Sequence, residues 1–140
     1  MARVFWDTNL FVYLIEDVGP RAVRVAELRT SMHARGDELV TSALTLAEVL
    51  VRPVAMGKAG LARDYERLIC GSATVIPFDV DTARSFAAIR ATENIKAPDA
   101  IQLACAAHAR IDLFITNDDR LSRKVIPGIQ FITSLDRAFL

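Results

Sequence analysis

Short apolar runs alternate along the chain with longer stretches in which apolar residues return every three or four positions. Residues 3–6, 38–42, 73–76, 112–116 and 129–132 have the length and composition of buried strands. Between them the period is helical. Residues 10–15 form an apolar helical turn ended by Glu16-Asp17-Val18-Gly19-Pro20. Pro20 suits the first turn of the next helix, 21–35, which turns Ala22, Val25, Leu28 and Met32 inward and stops at Gly36. Residues 45–51 read as a helix broken before Pro53. Residues 54–70 follow, with Arg63, Asp64, Glu66 and Arg67 on the wet face, Gly57 and Gly60 weakening the first half and Gly71 closing it. Asp79 caps a helix to about Glu93 with Val80, Ala83, Phe86 and Ala87 inward. Pro98-Asp99 opens another to about Arg110, apolar almost all round and therefore central. Asn117-Asp118-Asp119 caps a short helix, Pro127-Gly128 is a turn, and a last short helix follows residue 132.

Strands alternating with helices predict an α/β fold: a three-layer α/β/α sandwich around a mostly parallel sheet of about five strands. The 140 residues suit one domain, and at 52% hydrophobic the chain can bury a core without staples. Lys+Arg and Asp+Glu each number 17, which argues against a surface coated in positive charge but leaves room for a local basic rim. Cys70 and Cys105 lie in apolar helical surroundings and read as buried thiols. The chain opens on strand rather than a leader, and no apolar run is long enough to span a membrane, so a cytoplasmic protein is expected.

Each of four acids follows a strand-like run: Asp7, Glu48, Asp99 and Asp118. In a parallel α/β sheet the carboxyl ends of the strands are where ligands bind. Each acid also has an ordinary structural explanation. Asp7 and Asp118 could cap helices. Glu48 stands at capping-box spacing from Thr45. Asp99 would sit in the favourable field of a helix N-terminus. Together they point further, because Ser, Thr and Asn cap as well as carboxylates do, and several carboxylates delivered to one edge repel unless neutralised. Mg²⁺ or Mn²⁺ suits an all-oxygen site, whereas two histidines and no cysteine pair at ligand spacing make zinc a poor fit. Such a site can bind phosphate oxygens and activate water, the chemistry of phosphodiester hydrolysis. No GxxxxGK[ST] or GxGxxG loop is present for nucleotide-driven or hydride chemistry.

Four pieces in order, Val4-Phe5-Trp6-Asp7-Thr8-Asn9, Leu44-Thr45-Leu46-Ala47-Glu48-Val49, Pro98-Asp99-Ala100-Ile101-Gln102-Leu103-Ala104 and Phe114-Ile115-Thr116-Asn117-Asp118, resemble the PIN-domain ribonucleases, and among them the VapC-type toxins. The resemblance covers essentially the whole chain. It implies that Asp7, Glu48, Asp99 and Asp118 bind metal and carry catalysis, that Asn9 and Thr116 support them, and that Asp119 could share or replace the role of Asp118. It also implies Mg²⁺- or Mn²⁺-dependent RNA cleavage, a homodimer, and inhibition by a small antitoxin protein.

Lys96, Arg120, Arg123 and Lys124 stand next to these acids in sequence and could meet RNA phosphates, with Arg52 and Lys58 as weaker candidates. Phe11, Tyr13 and Leu14 could instead receive an antitoxin helix in a groove. Two alternatives remain at this level. A haloacid-dehalogenase-type phosphatase also places an aspartate after its first strand but expects a second two positions on, where this chain has Asn9. A module of the same fold could hold RNA or a protein without doing chemistry.

Overall fold

The computed structural model of the protein describes residues 1–16 and 19–138. Five strands form one sheet in the order β3-β2-β1-β4-β5, every neighbouring pair parallel: β1 (Arg3–Trp6), β2 (Glu38–Ser42), β3 (Thr74–Ile76), β4 (Ile111–Thr116) and β5 (Ile129–Ser134). The helices are α1 (Thr8–Glu16), α2 (Gly19–Arg35), α3 (Ala43–Ala55), α4 (Ala59–Ser72), α5 (Val80–Thr92), α6 (Ala97–His108) and α7 (Asp119–Ser122). The three-layer sandwich is therefore as expected, and its sheet is parallel throughout. Asp17 and Val18, part of the predicted end of the first helix, lie outside the described residues. Among the described residues no helix is long and apolar enough to cross a membrane.

Alternation along the strands sorts side chains into two cores. Val4 and Trp6 of β1 join Leu113 and Ile115 of β4 beneath Leu10, Val25, Leu28 and Ile69 of α1, α2 and α4. Phe5 and Phe114 point the other way, stacked with ring centroids 4.9 Å apart, under Leu103 and Ala104 of α6 and Ile89 of α5. Both faces of the central strands are covered, which is why they read as unbroken apolar runs.

Several local expectations need correction. Helix α3 runs through Pro53 instead of stopping before it. An interior proline costs about 3 kcal/mol, but here only two helical residues follow it and its ring is buried. The turn also closes beyond it, with Met56 N donating to Arg52 O at 3.0 Å and Lys58 N to Pro53 O at 2.9 Å. On α5, Val80, Ala83 and Ala87 are exposed, while Thr82 and Ile89 are buried and Phe86 is half-buried. Ile89 and Phe86 pack on the core shared with α6, and Thr82 lies on the same side, where it closes a capping box: Thr82 Oγ1 accepts from Asp79 N at 2.7 Å and Asp79 Oδ1 from Thr82 N at 3.1 Å. Cys70 is exposed, because Ile69 takes the buried position beside it on α4; Cys105 is buried as expected, and both thiols are free. The last helix is a single 3-10 turn, Leu135–Arg137.

One glycine is required by space. Gly128 has φ +96°, and a Cβ there would meet the Ala107 carbonyl oxygen at 2.7 Å. Gly128→Ala should destabilise the protein by at least about 2 kcal/mol in chemical denaturation. Gly71→Ala, in helix α4 with nothing within 4 Å of the added carbon, should stabilise it by about 0.5–1 kcal/mol.

Candidate metal centre at the carboxyl edge of the sheet

The chain crosses to opposite sides of β1 when it forms β2 and β4, so the gap beyond β1 and β4 is the sheet's topological switch point. Asp7 follows β1 there, and its amide donates to Ile115 O of β4 at 3.1 Å. Its side chain is buried and heavily bonded. Oδ1 accepts from Thr8 N at 2.8 Å and Gln102 Nε2 at 3.3 Å, and Oδ2 accepts from Thr116 Oγ1 at 2.8 Å. Burial pushes the Asp7 carboxyl above the ordinary aspartate range; the hydrogen bonds from Thr116, Thr8 and Gln102 pull against it, and the charge of Asp118 adds to the rise.

Asp118 follows β4 and caps α7, its Oδ1 accepting from Arg120 N at 2.9 Å. Burial works to raise its pKa but is outweighed by the hydrogen bonds and charge of Arg120, whose Nη2 lies 3.5 Å from Oδ2, so the group stays low. Asp99 stands half-buried in the first turn of α6. Burial, and then the charges of Asp7 and Asp118, raise its carboxyl against the opposing pull of Arg120 and Lys96. Among the described residues Asp99 makes no hydrogen bond or ion pair, whereas two partly buried acids and one exposed acid elsewhere have plain structural partners. Asp37 accepts from Ala2 N, Asp112 from Arg3 N, and Asp79 completes its capping box.

Glu48 is placed differently. Ser42 is the N-cap of α3 and Thr45 lies three residues on, so Glu48 is past the first turn and no capping box involves it. Its Oε1 accepts from Thr8 Oγ1 at 2.7 Å, and Thr8 is in turn bonded to Gln102 Nε2 at 3.0 Å. Glu48 is thus tied to Asp7 through two side chains, Thr8 and Gln102. Among the described residues no three His, Cys, Asp or Glu side chains converge closely enough to enclose an ion on their own. The donor set still suits a hard divalent cation, since Mg²⁺ commonly takes one or two carboxylates and completes its shell with water and phosphate oxygens.

Around this edge the other predicted residues separate. Thr116 bonds Asp7, and its Oγ1 also accepts from Asp118 N at 3.1 Å. Asn9 and Asp119 are exposed, on the first turns of α1 and α7. Lys96, Arg120 and Lys124 line a cleft of about 50 Å³ with Asp99 and Asp118, and Lys124 Nζ lies 3.8 Å from Glu93 Oε2. Arg123, at the end of α7, is exposed and outside that cleft. On the far side of Glu48, Val12, Ile15, Val49, Pro53, Leu61 and Tyr65 line a groove of about 390 Å³ that Arg52 and Lys58 border. Phe11 is fully buried against Trp6, so it cannot receive a partner; Tyr13 and Leu14 are half-buried. Tyr13 holds Asn117 instead, its hydroxyl accepting from Nδ2 at 2.8 Å.

The sequence reading gave no site role to Gln102, Thr8 or Ser42, and read Thr45 only as a capping residue. For Gln102 a signal was present: it is the one polar side chain in the run from Ala100 to Ala107.

The ionised form of Asp7 is disfavoured in the fold, so its contribution to stability is greatest below about pH 4 and is lost as pH rises through its raised pKa. Without divalent ions, Asp7→Asn keeps an acceptor for Thr8 N and Gln102 and should stabilise the protein at pH 7 by on the order of 1 kcal/mol, the gain shrinking towards pH 3. Asp7→Ala strands those donors and should cost about 1–3 kcal/mol. Thermal unfolding from pH 3 to 8 measures both.

No curated protein sequence matches the chain. Among solved structures, VapBC2 from Rickettsia felis bound to a promoter DNA fragment is similar at 16% identity and TM-score 0.73, over 94% of this chain and 97% of that one. A toxin–antitoxin complex from Klebsiella pneumoniae is similar at 24% identity and TM-score 0.65, over 90% and 94%. DNA-bound VapBC from Salmonella typhimurium is similar at 22% identity and TM-score 0.64, over 96% and 99%. These likenesses speak for the fold. The family follows from the sequence profile of the PIN domain, which matches residues 4–126 and takes in Asp7, Glu48, Asp99 and Asp118, leaving no place for the phosphatase alternative: the chain belongs to the PIN domain family.

Proposed function

We propose that the protein is a Mg²⁺- or Mn²⁺-dependent endoribonuclease, the toxin of a toxin–antitoxin pair in the cytoplasm. The observation that supports the reading is that Asp7, Asp99 and Asp118 stand after β1, at the start of α6 and after β4, at one edge of the sheet, where the charges of Asp7 and Asp118 bear on the ionisation of Asp99. Asp7, Asp99 and Asp118 would hold the ion, with Glu48 available beside Thr8. The chemistry supplied by the ion is Lewis acidity towards a phosphodiester and a lowered pKa for attacking water. The chain does the rest. Thr116, Thr8 and Gln102 keep Asp7 oriented and favour its charged form against burial. Lys96, Arg120 and Lys124 offer positive charge to RNA phosphates beside the acids, and Arg123 is a more distant candidate. Asn9 and Asp119 would support the site from its exposed rim. The similar structures described as VapBC or toxin–antitoxin complexes support an antitoxin partner, and the apolar groove beside Glu48 offers it a surface. A homodimer accords with the same resemblance. That among the described residues no three acids converge closely enough to enclose an ion favours the competing reading, a PIN module that binds without cutting.

Purified protein should cut total cellular RNA into discrete fragments with Mn²⁺, and not with chelator. Asp7→Asn and Asp99→Asn should each lower the rate at least about 100-fold while remaining folded. Mn²⁺ at 100 times its Kd should stabilise the wild type by about 2.7 kcal/mol, and Asp99→Asn should lose that gain. Normal cleavage by either variant would remove the metal-site reading. Arg120→Ala and Lys124→Ala should weaken RNA binding and each lower the slope of log affinity against log salt by roughly 0.7. Co-expression with the small protein encoded beside the gene should suppress cleavage.

A further inference from the structure

Gln102 is 2% exposed, a primary amide set into the apolar centre of α6. An amide buried without partners costs a few kcal/mol, so its hydrogen bonds define what it does. Ser42 Oγ accepts from Thr45 N as the cap of α3, which leaves its own proton for Gln102 Oε1. That bond fixes the amide: the oxygen faces Ser42 and the nitrogen faces the acids. Reversed, the oxygen would lie against the Asp7 carboxylate. Nε2 then offers two protons to three oxygens, Thr45 Oγ1 at 2.8 Å, Thr8 Oγ1 at 3.0 Å and Asp7 Oδ1 at 3.3 Å. Thr8 accepts from it and passes its own proton on to Glu48 Oε1.

We propose that Gln102 is a positioning residue for the metal site: its amide holds Asp7 directly, and Glu48 through Thr8, so that a divalent cation meets carboxylates already set relative to each other. The inference rests on the metal-nuclease reading. Asp7, Glu48 and Gln102 sit on three separate elements, and the amide is the group that touches the β1–α1 junction, α3 through Thr45, and the cap of α3 at once. Partners that orient metal ligands commonly change metal affinity 10–100-fold when removed.

The test is Mn²⁺ binding by calorimetry on the full chain without RNA. Gln102→Met keeps the length and packing of the side chain and removes its polar atoms. Thr8→Val removes the hydroxyl that links Gln102 to Glu48, leaves the bond from Gln102 to Asp7 in place, and covers the case in which Gln102→Met does not fold. Ile101→Ala loosens the same helix without touching the network. Gln102→Met should bind Mn²⁺ 10–100-fold more weakly, Thr8→Val should also bind more weakly, and Ile101→Ala should match the wild type. Wild-type affinity in both Gln102→Met and Thr8→Val would overturn the positioning role while leaving the metal reading standing. No uptake of Mn²⁺ at millimolar concentration by the wild type would overturn both.

Discussion

The rest of this molecule is arranged around the burial of one charge. Asp7 ends the central strand of a sheet covered on both faces, and water is largely excluded from its carboxylate. A buried carboxylate either becomes neutral or is supplied with donors. Here donors converge from three directions: the Thr8 amide from the chain immediately after it, Thr116 from the adjoining strand, and Gln102 from the helix that packs across the sheet. Each depends on a different long-range feature of the fold. Thr116 reaches Asp7 because β1 and β4 are parallel neighbours in register from Val4 and Leu113 to Trp6 and Ile115. Gln102 reaches it because Leu103 and Ala104 seat α6 on Phe5 and Phe114.

This arrangement also explains why the acids serve two ends at once. Asp118 caps α7 and Asp99 opens α6, as their sequence contexts suggest, and the charges of Asp7 and Asp118 still reach Asp99 across the edge. Capping and site roles are compatible because, in a parallel sheet, helix N-termini and strand carboxyl ends occupy the same side. Positive helix ends and cations then share the work of holding negative charge there. The acids at other places in the fold lack this mutual exposure. Asp37 and Asp112 tie down the start of the chain through Ala2 and Arg3, and their charges are satisfied locally.

The strands, their order of appearance and the acid after each of β1 and β4 were legible because burial on two faces leaves a plain apolar run with an abrupt polar end. What was not legible depends on contacts between distant elements. The inward face of α5 was misread because Val80, Ala83 and Ala87 fit a helical stripe as well as Thr82, Phe86 and Ile89 do, and only packing of the helix on the core shared with α6 decides between them. Pro53 looked like a stop because local backbone geometry disfavours helix before proline, and burial of the ring overrides it. The position of Glu48 was half legible. Its strand and the presence of its helix were read, but the bond from Thr8 that places its side chain spans 40 residues.

The two flanks of the acidic edge differ in a way that bears on what can reach it. Beyond Asp99 and Asp118 the wall is cationic, formed by Lys96, Arg120 and Lys124, and its cleft is small. Beyond Glu48 the wall is apolar, formed by α1, α3 and α4, and its groove is several times larger. A phosphate backbone gains from the first wall and little from the second; an amphipathic helix gains from the second and must bring acidic residues to gain from the first. On the proposed reading, substrate and inhibitor therefore approach the same acids from opposite sides. Glu48 stands at the border between them, lining the groove while bonded to Thr8 of the site.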